Sequence, residues 1–168
     1  LAATEHKTLL VDIDPQSNST SGVGVNHAEL ELSVYEVIVD NAPVSATIKK
    51  TEIDYLDVLP ATINLVGAEI EIIEREEREQ ILKKALHPLL KHYDYIVIDC
   101  PPSLGLLTIN ALTASMSVLI PVQCEYYALE GLGQLLNTIK IVRQHLNRSL
   151  DIEGVLLTMY DQRTRLSN

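Results

Sequence analysis

The stretch Tyr95-Ile96-Val97-Ile98-Asp99-Cys100-Pro101-Pro102-Ser103-Leu104-Gly105 decides the fold. Its apolar start, rich in β-branched residues and without polar alternation, suits a parallel strand covered on both faces. An acidic residue ends the run, two prolines stop the strand, and a glycine frees the exit of the turn. Open parallel sheets bind ligands beyond the carboxyl ends of their strands, so Asp99 stands where a ligand would sit. A carboxylate there can hold a metal-bound water. The constrained loop Pro101–Gly105 suits a segment that senses a phosphate.

The same signature occurs upstream in Leu9-Leu10-Val11-Asp12-Ile13-Asp14-Pro15-Gln16-Ser17-Asn18. Asp14 at a strand tip can orient a water, act as a general base or help bind a cation. Asp-Pro also opens turns, so a turn-capping Asp14 is the alternative reading. A third strand end, Leu119 to Gly131, reads as a polar turn entering a helix, with no catalytic constellation.

Hydrophobic periodicity fills in the rest. Strands are predicted at Thr8–Ile13, Tyr55–Leu59, Tyr95–Ile98, Ser117–Val122 and Ile152–Met159. Helices are predicted at Val34–Asp40, Glu74–His92, Leu106–Ala114 and Ala128–Leu146, the last with Leu132, Leu135, Leu136, Ile139 and Val142 facing inward. In Glu74–His92, Glu74/Arg78, Arg75/Glu79 and Glu79/Lys83 stand four apart and read as a solvated face. Alternating strands and helices predict an α/β fold, an open and mainly parallel sheet with helices on both faces. Residues 1–168 read as one domain.

The composition, 168 residues with 46% hydrophobic and 21% charged side chains, excludes a disordered chain. No apolar run approaches the roughly 20 residues of a membrane-spanning helix. Leu1 to Lys7 lack the basic start and apolar stretch of a secretory signal. Cys100 and Cys124 make neither a disulfide framework nor a four-ligand metal site, and the five histidines have no metal-ligand spacing. A reduced, cytoplasmic setting follows as the expectation. Net charge is −10, but residues 1–84 carry 7 basic and 16 acidic side chains against 6 and 7 in the remainder. The balance turns basic towards the end, where Lys140, Arg143, Arg148, Arg163 and Arg165 lie. A weak nucleic-acid surface there is compatible with the gradient, as is a solvated helix face.

Four segments together make the sequence familiar: LLVDIDPQSN at residues 9–18, YIVIDCPPSLGLLTINAL at 95–112, VLIPVQCEYYALEGL at 118–132 and GVLLTMYDQRTRLS at 154–167. Their order and spacing resemble the ParA family of partition ATPases, its Soj-like chromosomal branch above all. The resemblance implies an ATP and Mg2+ site, an ATP-dependent homodimer that binds DNA without sequence preference, and release by hydrolysis under a centromere-binding, ParB-like partner. Nucleoid association in the cytoplasm, without a membrane anchor, is implied with it. By position, Asp14 resembles the first-switch aspartate that acts on the attacking water, and Asn18 a polar residue near magnesium. Asp99 resembles the metal-side aspartate, Pro101 to Gly105 the second switch, and Arg163 a DNA-contacting position. The family's Lys-Gly-Gly-Val-Gly-Lys-Thr phosphate loop does not occur in these residues. The expectation is therefore the central part of a longer ATPase, unable by itself to bind ATP normally. The competing expectations are a MinD-like division-site ATPase and a non-catalytic scaffold with a degenerate site.

Overall fold

The computed structural model describes residues 1–123 and 128–159. They fall into two compact units that divide between Ala114 and Ser115.

In the first unit, β1 (Thr8–Asp12) runs between β3 (Leu56–Leu59) and β4 (Tyr95–Asp99), parallel to both. A two-residue β2 (Lys49–Lys50) adds antiparallel to β3, giving the order β2-β3-β1-β4. β1 is enclosed on both faces, with Leu9 and Val11 fully buried, as its unbroken apolar run predicts. β4 differs: Ile96 and Ile98 pack on the core, while Tyr95 and Val97 are exposed, β4 being the last strand of this sheet among the described residues. The predicted strand at Tyr55–Leu59 starts one residue late, because Tyr55 adopts a left-handed φ of 63° and turns the chain into β3.

The helices are α1 (Asn18–Gly22), α2 (Val34–Val39), α3 (Val44–Thr47), α4 (Leu65–Ile72), α5 (Ile81–Leu86) and α6 (Leu106–Ala114). α2 starts on a capping box: the Ser33 N–H and hydroxyl donate to Glu36 at 2.6 and 2.8 Å, and the Tyr35 N–H donates to the Ser33 oxygen at 3.2 Å. Ile38, Leu59, Leu65, Ile72 and Leu82 join Leu9 and Ile13 as fully buried members of the core. The long helix predicted over Glu74–His92 is corrected to pieces. Glu77 takes a left-handed φ of 53°, a 3-10 turn covers Arg78–Gln80, and a second 3-10 segment, His87–Lys91, follows α5 with Pro88 in its first turn. The expected charge pairs give way to others. Arg75 donates to the carbonyls of Ile38 and Val39 at the end of α2, and Lys84 reaches Glu77 at 2.5 Å. Those carbonyls have no partner within their own helix, so a guanidinium serves them well.

The second unit pairs β5 (Ser117–Gln123) with β6 (Asp151–Thr158) in parallel, with a register shift between Val118 and Leu119. α7 (Ala128–His145) connects them. Ile120, Val122, Ile139, Val142 and Leu150 are buried, whereas Leu136, predicted to face inward, is exposed. Leu132, Leu135, Ile139 and Val142 repeat at three and four residues along one stripe, and Leu136 falls on its flank. Asn147 closes the turn after α7, its amide donating to the Ser115 carbonyl at 2.7 Å. Among the described residues, no helix is long and apolar enough to cross a membrane.

Candidate functional site

The tips of β1 and β4 are adjacent. Asp12 stands opposite Asp99 in the parallel register, and the Ile13 N–H donates to the Asp99 carbonyl at 2.9 Å. Past this last rung β1 leaves the sheet and turns through Asp14 and Pro15 into α1. Asp14 Oδ1 accepts from the Gln16 N–H at 2.9 Å and the Asp14 carbonyl from the Ser17 N–H at 2.9 Å, so the turn-capping alternative is realised. Among the described residues, no donor reaches Asp14 Oδ2, which leaves this oxygen for a ligand or a water. Ser17 is held buried at a left-handed φ of 55°, a conformation that disfavours any residue with a Cβ. Asn18, the first residue of α1, is exposed on the same loop.

Two residues outside the predicted set fix this loop. Asp12 is fully buried; its Oδ2 accepts from the Thr20 N–H at 2.8 Å and the Thr20 hydroxyl at 2.7 Å, and its Oδ1 from the Asp14 N–H at 3.1 Å. Thr20, also fully buried, accepts from the Ala61 N–H at 2.9 Å. One hydrogen-bonded chain therefore ties the tip of β1, the start of α1 and the residue two beyond β3. Burial raises the Asp12 carboxyl above its ordinary value, with Asp99 adding to the rise, and its three hydrogen bonds oppose it. Asp12 is the last residue of β1, two residues before Asp14. Ser19 donates to Asp99 Oδ2 at 2.5 Å across 80 residues of sequence.

The loop after β4 leads from Pro101 to Gly105 and into α6. The Thr108 hydroxyl reaches back to the Ser103 carbonyl at 2.6 Å, and Glu69 of α4 accepts from the Leu107 N–H at 2.9 Å. That carboxylate caps the first turn of α6 and lies over Gly105, where a Cβ would collide with it. Burial, then the charges of Asp99 and Asp14, push the Cys100 thiol up to about 11. It is no nucleophile near neutrality.

The structure thus brings Asp14, Asn18, Asp99, Pro101 and Gly105 to one end of one sheet. Arg163, Cys124, Tyr126 and Tyr127 lie outside the described residues. A cleft of about 1010 Å³ opens elsewhere, among Val44, Ile48, Ile81, Leu89, Lys50 and Tyr93. It belongs to the amino ends of β1 and β4. There Asp57, paired with Lys50 at 2.8 Å, accepts from the Tyr93 hydroxyl at 2.8 Å, and burial followed by this bond raises the Tyr93 phenol. The carboxyl ends carry the convergent acids, so the site is assigned there.

Comparison with known proteins agrees with this geometry. Residues 1–152 match the AAA domain family. The chain is 63% identical over 166 residues to the sporulation initiation inhibitor protein Soj of Bacillus subtilis, and 53% identical over 168 residues to the chromosome partitioning protein ParA of Myxococcus xanthus. The chain belongs to the ParA family of partition ATPases. It is covered to 99% and 100% by these two matches and spans 66% and 59% of the relatives' own lengths. A Mycobacterium smegmatis structure described as cobyrinic acid a,c-diamide synthase with bound ATP analog and magnesium superposes with a TM-score of 0.93 at 45% identity. That match covers 99% of this ParA-family chain and 68% of the other.

Proposed function

We propose that the protein containing this chain is an ATP hydrolase of DNA segregation. It serves chromosome or plasmid partitioning by forming an ATP-dependent homodimer on non-specific DNA, in the cytoplasm at the nucleoid. The observation that carries this reading is that Asp99 ends β4 while Asp14 follows the tip of the neighbouring β1, at one end of the sheet of a ParA-family chain. The resemblance adds a ParB-like partner that stimulates hydrolysis. The M. smegmatis structure holds an ATP analog and magnesium on a closely similar fold, which supports the nucleotide, and the Soj and ParA relatives support segregation as its use.

The donors present fit magnesium. Among the described residues no three His, Cys, Asp or Glu side chains form a cage for a metal. Magnesium ordinarily takes one or two carboxylates with phosphate oxygens and waters, so Asp99, with Asn18 nearby on the loop, is a suitable protein share. Bound there, magnesium would neutralise charge on the terminal phosphates. Asp14, its backbone held by Asp12 and its Oδ1 by Gln16, offers Oδ2 to orient the attacking water. The loop Pro101–Gly105, fixed at its far end by Glu69 and Thr108, reports on the phosphate. Such a terminal-phosphate contact can switch the protein between states.

The test uses the full-length protein. Binding to unrelated DNA duplexes is expected only with ATP and magnesium, with equal affinity across sequences and a steep salt dependence. Arg163→Ala is expected to weaken that binding uniformly and flatten the salt slope by about 1. Equal DNA binding without nucleotide would refute the reading, and an unchanged slope would remove Arg163 from the contact.

A further inference from the structure

Ser19 makes a contact that neither the family resemblance nor its position in the sequence assigns to it. Its hydroxyl lies 2.5 Å from Asp99 Oδ2, the length of an O–H donating to an ionised carboxylate. A serine hydroxyl has one proton, so the contact commits it to Asp99. The donation engages Oδ2, and among the described residues no donor reaches Oδ1, which is left to face a ligand.

The position of Ser19 is fixed independently of Asp99. Its neighbour Thr20 is bonded through both backbone and side chain to Asp12, which stands opposite Asp99 in the sheet. Two consecutive residues of α1 therefore hold two neighbouring strand tips. Thr20 sets where the helix starts, and Ser19 uses that fixed point to hold the Asp99 carboxylate in one orientation. A metal-side carboxylate pre-set in this way binds its cation without first giving up side-chain freedom.

We propose that Ser19 is a positioning residue of the magnesium site, acting through Asp99 rather than on the reacting atoms. The proposal rests on the reading of Asp99 as the metal-side aspartate. Ser19 would set cation affinity, while turnover at saturating cation would depend on Asp14.

The experiment titrates Mn2+ as a paramagnetic probe into the full-length protein with ADP, for wild type, Ser19→Ala and Ser19→Thr. The magnesium dependence of turnover is measured in parallel. Ser19→Ala is expected to bind Mn2+ about 10-fold more weakly, with turnover at saturating magnesium within about threefold of wild type, and Ser19→Thr to restore affinity. Unchanged affinity in Ser19→Ala, or an equal loss in both variants, would overturn the proposal. A loss of turnover that saturating magnesium fails to restore would do so too. Failure of wild type to bind Mn2+ with ADP would instead overturn the assignment of Asp99 on which the proposal rests.

Discussion

Replacing Thr20 by Val removes one oxygen and tests the buried chain behind the candidate site. Thr20 is fully enclosed; its hydroxyl donates to Asp12 at 2.7 Å and accepts from the Ala61 N–H at 2.9 Å. Valine keeps the shape and loses both bonds. A hydrogen bond to a charged group contributes roughly 1.5–3 kcal/mol, and an orphaned buried N–H costs roughly 1–3 kcal/mol. Asp12 also loses the strongest of the interactions that offset its burial. The two losses share one side chain and are not fully additive, so the expected destabilisation is about 3 kcal/mol. With a denaturant slope of about 2 kcal/mol/M, the urea midpoint falls by about 1.5 M. The assay is equilibrium urea unfolding of the full-length protein without nucleotide, followed by circular dichroism, with Thr20→Ser as the control that keeps the hydroxyl. The effect also has a pH sign. The folded-state value of Asp12 lies above its ordinary 3.8, so its stabilising contribution is present below 3.8 and lost as pH rises through the raised value. Removing Thr20 lifts that value further, and the deficit of the valine variant is larger at pH 7 than at pH 4. A loss below about 1 kcal/mol at pH 7, or a deficit that grows on acidification, would refute the account of this network.

Cys100 gives a second pH signature. Its folded value of about 11 lies above the ordinary 9.0, so its contribution is intact below 9 and is lost between 9 and 11. The shift corresponds to at most about 2.7 kcal/mol, less what solvent screens. Cys100→Ala is expected to lose stability more slowly than wild type across that window; parallel curves would contradict the assignment. Thr113 is fully buried in α6, and among the described residues its hydroxyl has no hydrogen-bond partner. Thr113→Val is expected to raise unfolding free energy by about 1 kcal/mol, measured by the same urea titration, and a comparable decrease would argue for an unrecognised partner.

What could be read from the sequence divides along physical lines. β1 and β4 were legible because each is an apolar run stopped by an acidic residue and proline, a pattern that fixes both the strand and the end that carries chemistry. α2 was expected over Val34–Asp40 and forms there, its start held by the Ser33–Glu36 capping box. α4 was not legible. Leu65, Ala68 and Ile72 are buried while Val66 and Ile70 are exposed, so its apolar residues surround the axis and give no one-sided period. The misread start at Glu74 has a different cause. Pairs four apart strengthen a helix that already exists, each by only about 0.2–0.5 kcal/mol, and they do not oblige Glu77 to leave its left-handed turn.

At the site, Asp99 was placed by the acidic end of its strand, and Asp14 by the Asp-Pro turn two residues past the end of β1. Asp12 fell inside the strand predicted over Thr8–Ile13, whereas it is the last residue of β1, and its role appears only when α1 folds back to put Thr20 against it. Ser19 could not be read at all, since its partner lies 80 residues away and serine is unremarkable near a helix start. Strand tips can thus be inferred from local pattern. The bonds that aim them depend on tertiary contacts that no local pattern encodes.

The most direct test of the central claim is the ATP turnover of Asp14→Ala in the full-length protein, with nucleotide binding measured on the same preparation. A carboxylate that orients water acts mainly in the transition state. The account predicts retained ATP binding with turnover reduced by about 100-fold or more, the ordinary worth of a general base. Normal turnover in Asp14→Ala would contradict it.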